Sequence, residues 1–102
     1  MNIEKDVSDV LISGTTNLTT TNVSKQIQTA HCCPKKGMQV RAGIGNGGII
    51  YVGGSNINGT VTSADCGFPL EAGDQLFIPC EDPRTVYAFN PTANDAIHWI
   101  II

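Results

Sequence analysis

Charge is scarce in this chain. Six Lys and Arg residues stand against nine Asp and Glu residues in a length of 102, so charged side chains make up 15% and the formal net charge is −3. A typical globular domain carries roughly 25%. So few basic residues, gathered into no patch, exclude the electrostatic footprint of a nucleic-acid binder. No apolar run approaches the roughly 20 residues that a membrane-spanning helix needs, so no membrane partner is expected. The opening stretch MNIEKDVSDV has no basic segment followed by an apolar one, and a secretory signal is not expected. Two expectations follow for a protein made in a reducing cytoplasm. The sequons Asn17-Leu18-Thr19, Asn22-Val23-Ser24 and Asn58-Gly59-Thr60 stay unmodified. The four cysteines, Cys32, Cys33, Cys66 and Cys80, are made as thiols, and a bridge from Cys32 or Cys33 to Cys66 or Cys80 stays open for an oxidising exterior.

Gly, Thr, Asn and Ser occupy the space that charge leaves, and they describe a β-rich surface solvated by hydroxyls and amides. No stretch carries amphipathic helical spacing. Short runs of β-branched and aromatic residues alternate with turn signals instead. Strands are expected at 7–12, 27–32, 38–44, 49–52, 59–63 (weakly), 74–80, 85–89 and 96–102. Period-two alternation puts Val40, Ala42 and Ile44, then Ile50 and Val52, Leu76 and Ile78, and Ile97, Trp99 and Ile101 toward a core. Seven or eight short strands at this spacing predict an all-β fold, a small antiparallel β-sandwich or barrel.

The segment RAGIGNGGIIYVGG places Gly43, Gly45 and Gly48 at the G-x-G-x-x-G spacing of a dinucleotide-binding loop. That chemistry needs a helix N-terminus directly after the glycines, to meet the pyrophosphate. Here Ile49-Ile50-Tyr51-Val52 follows, which reads as a strand. No cofactor is expected, and Asn46-Gly47 reads as a hairpin turn with positive φ values.

Both ends of the chain are unusual. Residues 1–26 are read as an extended polar N-terminal arm, and 27–102 as the β-sandwich domain. SGTTNLTTTNVSKQ has few apolar side chains to bury, so only its own sheet or a partner can hold it. At the other end, Ile97, Trp99 and Ile101 fall on one face of the last strand, and His98, Ile100 and Ile102 on the other. A strand that is apolar on both faces must be covered on both. The expected interface residues are therefore Ile3, Val7, Leu11, Leu18 and Val23 from the arm, with Ile100 and Ile102 from the last strand.

Catalytic chemistry finds little support. His31-Cys32-Cys33 has the wrong spacing for zinc, because adjacent cysteines of an extended chain point to opposite faces. Glu71, Asp74, Glu81 and Asp82 all sit at turns, where such residues are ordinary. No catalytic residue and no metal ligand is expected. A carbohydrate site would need a stacking platform drawn from Tyr51, Phe68, Phe77, Tyr87, Phe89 and Trp99, most of which lie in strands where burial is the default.

Three segments, RAGIGNGGIIYVGGSNI, GFPLEAGDQLFIP and EDPRTVYAFNP, in that order, resemble the small β-sandwich virion proteins of tailed bacteriophages. Each is a plain hairpin device and only the combination is specific; residues 1–37 carry no part of it. The resemblance implies a non-enzymatic capsid cement or decoration protein on the virion surface, made in the host cytoplasm. It also implies the major capsid protein or other virion proteins as partners, and a homo-oligomer, with a trimer favoured. The alternatives are a tail or head-tail adaptor component and a carbohydrate-binding module.

Overall fold

The computed structural model describes residues 12–28, 36–60 and 62–102. Eight strands run β1 (Ile12–Leu18), β2 (Lys25–Gln26), β3 (Met38–Ala42), β4 (Ile50–Gly53), β5 (Phe68–Leu70), β6 (Gln75–Ile78), β7 (Tyr87–Phe89) and β8 (Asp95–Ile101). They form two four-stranded sheets, β1-β8-β3-β6 and β2-β7-β4-β5, with every neighbouring pair antiparallel. The fold is the expected all-β sandwich.

The strand order has a simple origin. β1 pairs with β8, β2 with β7, β3 with β6 and β4 with β5. The chain is one long hairpin whose tip is β4–β5, rolled so that successive pairs land alternately in the two sheets. β8 then meets β3, and β7 meets β4, to complete each sheet. This is the order of a jelly roll. Among the described strands only β4 and β5 are neighbours both in sequence and in a sheet.

β1 forms where the arm was expected. Its Ile12, Gly14, Thr16 and Leu18 turn inward while Ser13, Thr15 and Asn17 stay exposed. That alternation fits a half-buried strand built largely of Thr and small polar residues. It pairs with β8 in register from Ile12 opposite Ile101 to Leu18 opposite Asp95. Residues 12–26 thus supply a strand to each sheet, and the stretch grouped with the arm in the sequence belongs to the fold from Ile12 onward. The strand expected at 7–12 and the remainder of the arm lie outside the described residues. So does most of the strand expected at 27–32; Ile27 and Gln28 are buried but lie outside any strand.

The core fills the space between the sheets. Leu18, Met38, Val40, Ile50, Leu70 and Ile97 are sealed in it, with Ile12, Leu76, Ile78 and Trp99 packed at its margin. Gly14 lies under the Trp99 ring, where a Cβ would come within 2.7 Å of the ring. The indole N–H donates to Thr16 Oγ1 at 3.1 Å. One core expectation is corrected. Ile44 is 74% exposed, because β3 ends at Ala42 and the chain turns away there, with the Gly43 N–H bonded to the Ala96 carbonyl. The weak strand at 59–63 is also absent: the described part of that stretch is loop and turn. The next strand, β5, comes only at Phe68–Leu70, hidden in the sequence by Pro69.

The two sheets finish differently on their outer faces. On the second sheet the described parts of the loop between β4 and β5, 54–60 and 62–67, fold over β4, burying Tyr51 and the loop's own Ile57, each 7% exposed. Phe89 stands edge-on to Tyr51 with ring centroids 6.4 Å apart. Glycine makes this cover close-fitting: a Cβ on Gly59, at φ +66°, would press into the Phe89 ring at 2.6 Å, and one on Gly53 would meet Ile57 at the same distance. With Ile50 and Val52 turned into the core and Tyr51 under the loop, all three are buried. Ile97→Ala should leave a cavity and cost about 2–5 kcal/mol, whereas Ile100→Ala on the outer face of β8 should cost well under half of that. Chemical denaturation of both variants, read by Trp99 fluorescence, checks the ordering.

Candidate functional site

The glycine fingerprint binds an anion, and the anion is the protein's own. The N–H groups of Gly47 and Gly48 both point at the Asp95 carboxylate, at 2.9 and 3.1 Å from its two oxygens. Asp95, the first residue of β8, is 3% exposed. Successive backbone N–H groups make a cradle for negative charge, and here a side chain fills it. Asn46 completes the joint: its amide accepts from the Ala96 N–H at 2.8 Å and donates to the Ala96 carbonyl at 2.9 Å. The side chain thus serves Ala96 as an adjacent strand would, one step beyond the last β3–β8 pair, Ala42 with Ile97.

The hairpin expected at Asn46-Gly47 is corrected by this geometry. β3 and β4 lie in different sheets, so the turn carries the chain across the sandwich. Neither Asn46 nor Gly47 has a positive φ. Gly48 is required for close approach instead, since a Cβ there would lie 2.3 Å from Thr92 Oγ1.

A second polar joint sits beside the first. Asn90 is fully buried and donates to the Leu18 and Thr92 carbonyls at 2.9 and 2.8 Å. Its oxygen accepts from Lys25 Nζ at 2.8 Å, and its own carbonyl accepts from the Asn22 N–H. Burial holds the Lys25 ammonium below the usual lysine pKa. The joint ties the end of β1 and the start of β2 to the β7–β8 connection.

Two of the carboxylates at the turns, Asp74 and Asp82, keep local partners. Asp74 accepts from the Glu71 N–H at 3.0 Å, and Asp82 caps the short 3₁₀ turn Pro83–Thr85 while pairing with Arg84 at 2.9 Å. Among the described residues no group of three or more His, Cys, Asp or Glu side chains is placed to hold a metal. His31, Cys32 and Cys33 lie outside the described residues. Cys66 is a half-buried free thiol in the loop over the second sheet, and Cys80 packs against the core. His98 is exposed on the outer face of β8, with Nδ1 2.8 Å from Thr15 Oγ1.

Among the described residues, that outer face of the first sheet is the one with no loop folded over it. Strand register fixes its rows. Ser13, Ile100, Gln39 and Phe77 make one row across β1, β8, β3 and β6, and Thr15, His98, Arg41 and Gln75 make the next. Phe77 is 38% and Ile102 43% exposed, and Ile100 is half-buried. No carboxylate lies in either row, and among the described residues no ion-pair partner of Arg41 is found. The face is apolar toward the Ile102 end and cationic beside it.

The expected interface residues divide. Ile100 and Ile102 belong to this face. Val23, 50% exposed, sits apart in the β1–β2 loop. Leu18 is corrected: at 1% exposure it is sealed in the core of its own domain, on the inward side of β1. Ile3, Val7 and Leu11 lie outside the described residues. Phe77 and Arg41 are not among the expected interface residues, although the alternation of QLFI and MQVRA places both opposite the core-facing set. Compared with protein-family models, curated proteins and solved structures, the chain matches none of them.

Asp95→Asn keeps the size of the side chain but sets an NH₂ group against a backbone N–H. It should cost about 1–3 kcal/mol, the penalty of an unmade buried hydrogen bond. Amide exchange at Gly47 and Gly48 should quicken more than elsewhere in the protein, which hydrogen-exchange NMR reads directly.

Proposed function

We propose that this protein is a non-catalytic structural protein of a tailed-phage virion, a cement or decoration protein that docks on the capsid exterior and bridges shell subunits. One observation carries the reading. The second sheet is roofed by the protein's own loop, while the first presents Phe77, Ile100 and Ile102 beside Arg41 and His98 with no cover among the described residues. Large apolar side chains clustered on one face, next to unmatched positive charge, suit a partner surface that is apolar with carboxylates at its edge. Low charge elsewhere suits it too, since wide contacts then form without stripping water from many ions. Copies made in the host cytoplasm would add to the shell surface, with the major capsid protein as the partner.

A jelly roll hosts lectin domains as well as viral capsid domains, and fold alone assigns no function. Aromatic placement argues against sugar stacking. Trp99 is packed on Gly14, and Tyr51 lies under the loop. The two well-exposed aromatics, Phe68 and Phe77, sit on edge strands of different sheets.

Ile102→Asp and Arg41→Glu should each weaken attachment to capsid shells at least about 10-fold, the effect of losing one interface anchor. Both residues are exposed, so the melting temperature should hold within a few degrees. Co-sedimentation with shells stripped of the protein measures the first effect, and calorimetry the second. Attachment of both variants at wild-type strength would refute docking through this face.

A further inference from the structure

The four sheet edges are unequally protected. An edge strand offers unpaired N–H and C=O groups to any other strand, and proteins blunt such edges with short strands, proline or charge. β2 is two residues long. β5 carries Pro69 at its centre, which has no N–H to give. β6 has four residues and runs directly into Pro79. β1 has none of these devices: its seven residues, ISGTTNL, contain no proline and no charge. Among the described strands it pairs with β8 on one side only. Among the described residues, no main-chain group of 12–17 bonds to anything on the other side. Ser13, Thr15 and Asn17 are exposed and small, so no bulky side chain of β1 itself overhangs the edge.

We infer that this edge is a self-pairing site, and that its occupant is β1 of a second copy, running antiparallel about a two-fold axis at Thr15. A strand that pairs with itself in full overlap must place its middle residue on the axis. Thr15 then stands opposite Thr15 of the second copy, Ser13 opposite Asn17 and Gly14 opposite Thr16. The polar row Ser13, Thr15, Asn17 meets its own reverse, hydroxyl and amide to hydroxyl and amide, with no like charges brought together. The main chain gains the ladder that the edge lacks.

Two consequences follow. A single strand edge about 23 Å long makes a small interface, well below the standard size. The pair therefore forms at high concentration, or where copies are already held close together. A two-fold axis normal to the sheet also keeps both outer faces on the same side. The product is one eight-stranded sheet that presents two Phe77–Ile100–Ile102 patches in one direction, so that one assembly is gripped twice and the second contact becomes intramolecular. This gain rests on the docking reading; the strand pairing does not. The two-fold contact also replaces the three-fold arrangement implied by resemblance.

The test is a pair of double variants in the full chain. Ser13→Lys with Asn17→Lys sets lysine opposite lysine across the axis, twice. Ser13→Lys with Asn17→Glu sets lysine opposite glutamate, twice, at the same positions. Sedimentation velocity over a concentration series up to about 1 mM should show the wild type doubling its mass. The double-lysine variant should associate at least about 10-fold more weakly, and the lysine–glutamate variant should return to near wild-type association. Thermal melts confirm that both remain folded. A wild type that stays monomeric throughout, a trimer, or two variants that associate alike would overturn the proposal. Attachment to shells is measured separately. A two-fold dimer that ignores shells supports strand pairing and overturns docking; a monomer that binds them does the reverse.

Discussion

The Asp95 carboxylate has left water with its charge, and two backbone N–H groups are what it has in exchange. That exchange anchors the first residue of β8, the strand that stands between β1 and β3 and so holds the first sheet together. A buried carboxylate without such donors would cost several kcal/mol. The turn 43–48 can therefore hardly sit anywhere else. Asn46 grips Ala96 at the next position, and Gly48 lets the loop approach Thr92. One polar joint thus sets where β3 ends, where β8 begins and where the chain crosses to the second sheet.

The crossing matters because the fold is a rolled hairpin. β1 and β8, at opposite ends of the described chain, are partners along their whole length. Contacts of such sequence separation must absorb loop-closure entropy before they stabilise anything. Only the tip, β4–β5, is local. The two joints around Asp95 and Asn90 both lie where strands leave one sheet for the other. There the backbone has no ladder to satisfy it, and side-chain amides and carboxylates serve in its place.

The faces of the sheets show how one composition serves two ends. On the second sheet, glycines at 53, 59 and 67 let a loop settle against Tyr51 and Phe89 and seal that side. On the first, Phe77, Ile100 and Ile102 have no such roof among the described residues, and Arg41 has no carboxylate within the rows around it. Among the described residues, then, one sheet face is closed by the protein's own loop and the other carries large apolar side chains beside an arginine with no ion-pair partner.

Much of the fold was legible in the letters. Period-two runs in MQVRA, QLFI and DAIHWII marked strands, their inward residues and the outward pair Ile100 and Ile102. These properties depend only on the alternation of a pleated chain. Partnership was not legible. Asn46-Gly47 looks like a hairpin to any local rule, because a turn signal says that the chain bends and not which sheet it enters. Leu18 looked like an arm residue for the same kind of reason: TTNLTTT has no local core, and its core comes from strands far along the chain. The sequence by itself determined the class of element, the side each residue takes and the shortage of charge. Tertiary structure alone decided that Asp95 would occupy the glycine cradle, and that among the described residues one face would be roofed and the other left uncovered. Those outcomes depend on which distant strands meet, and that is settled by burial and hydrogen bonding over the whole chain at once.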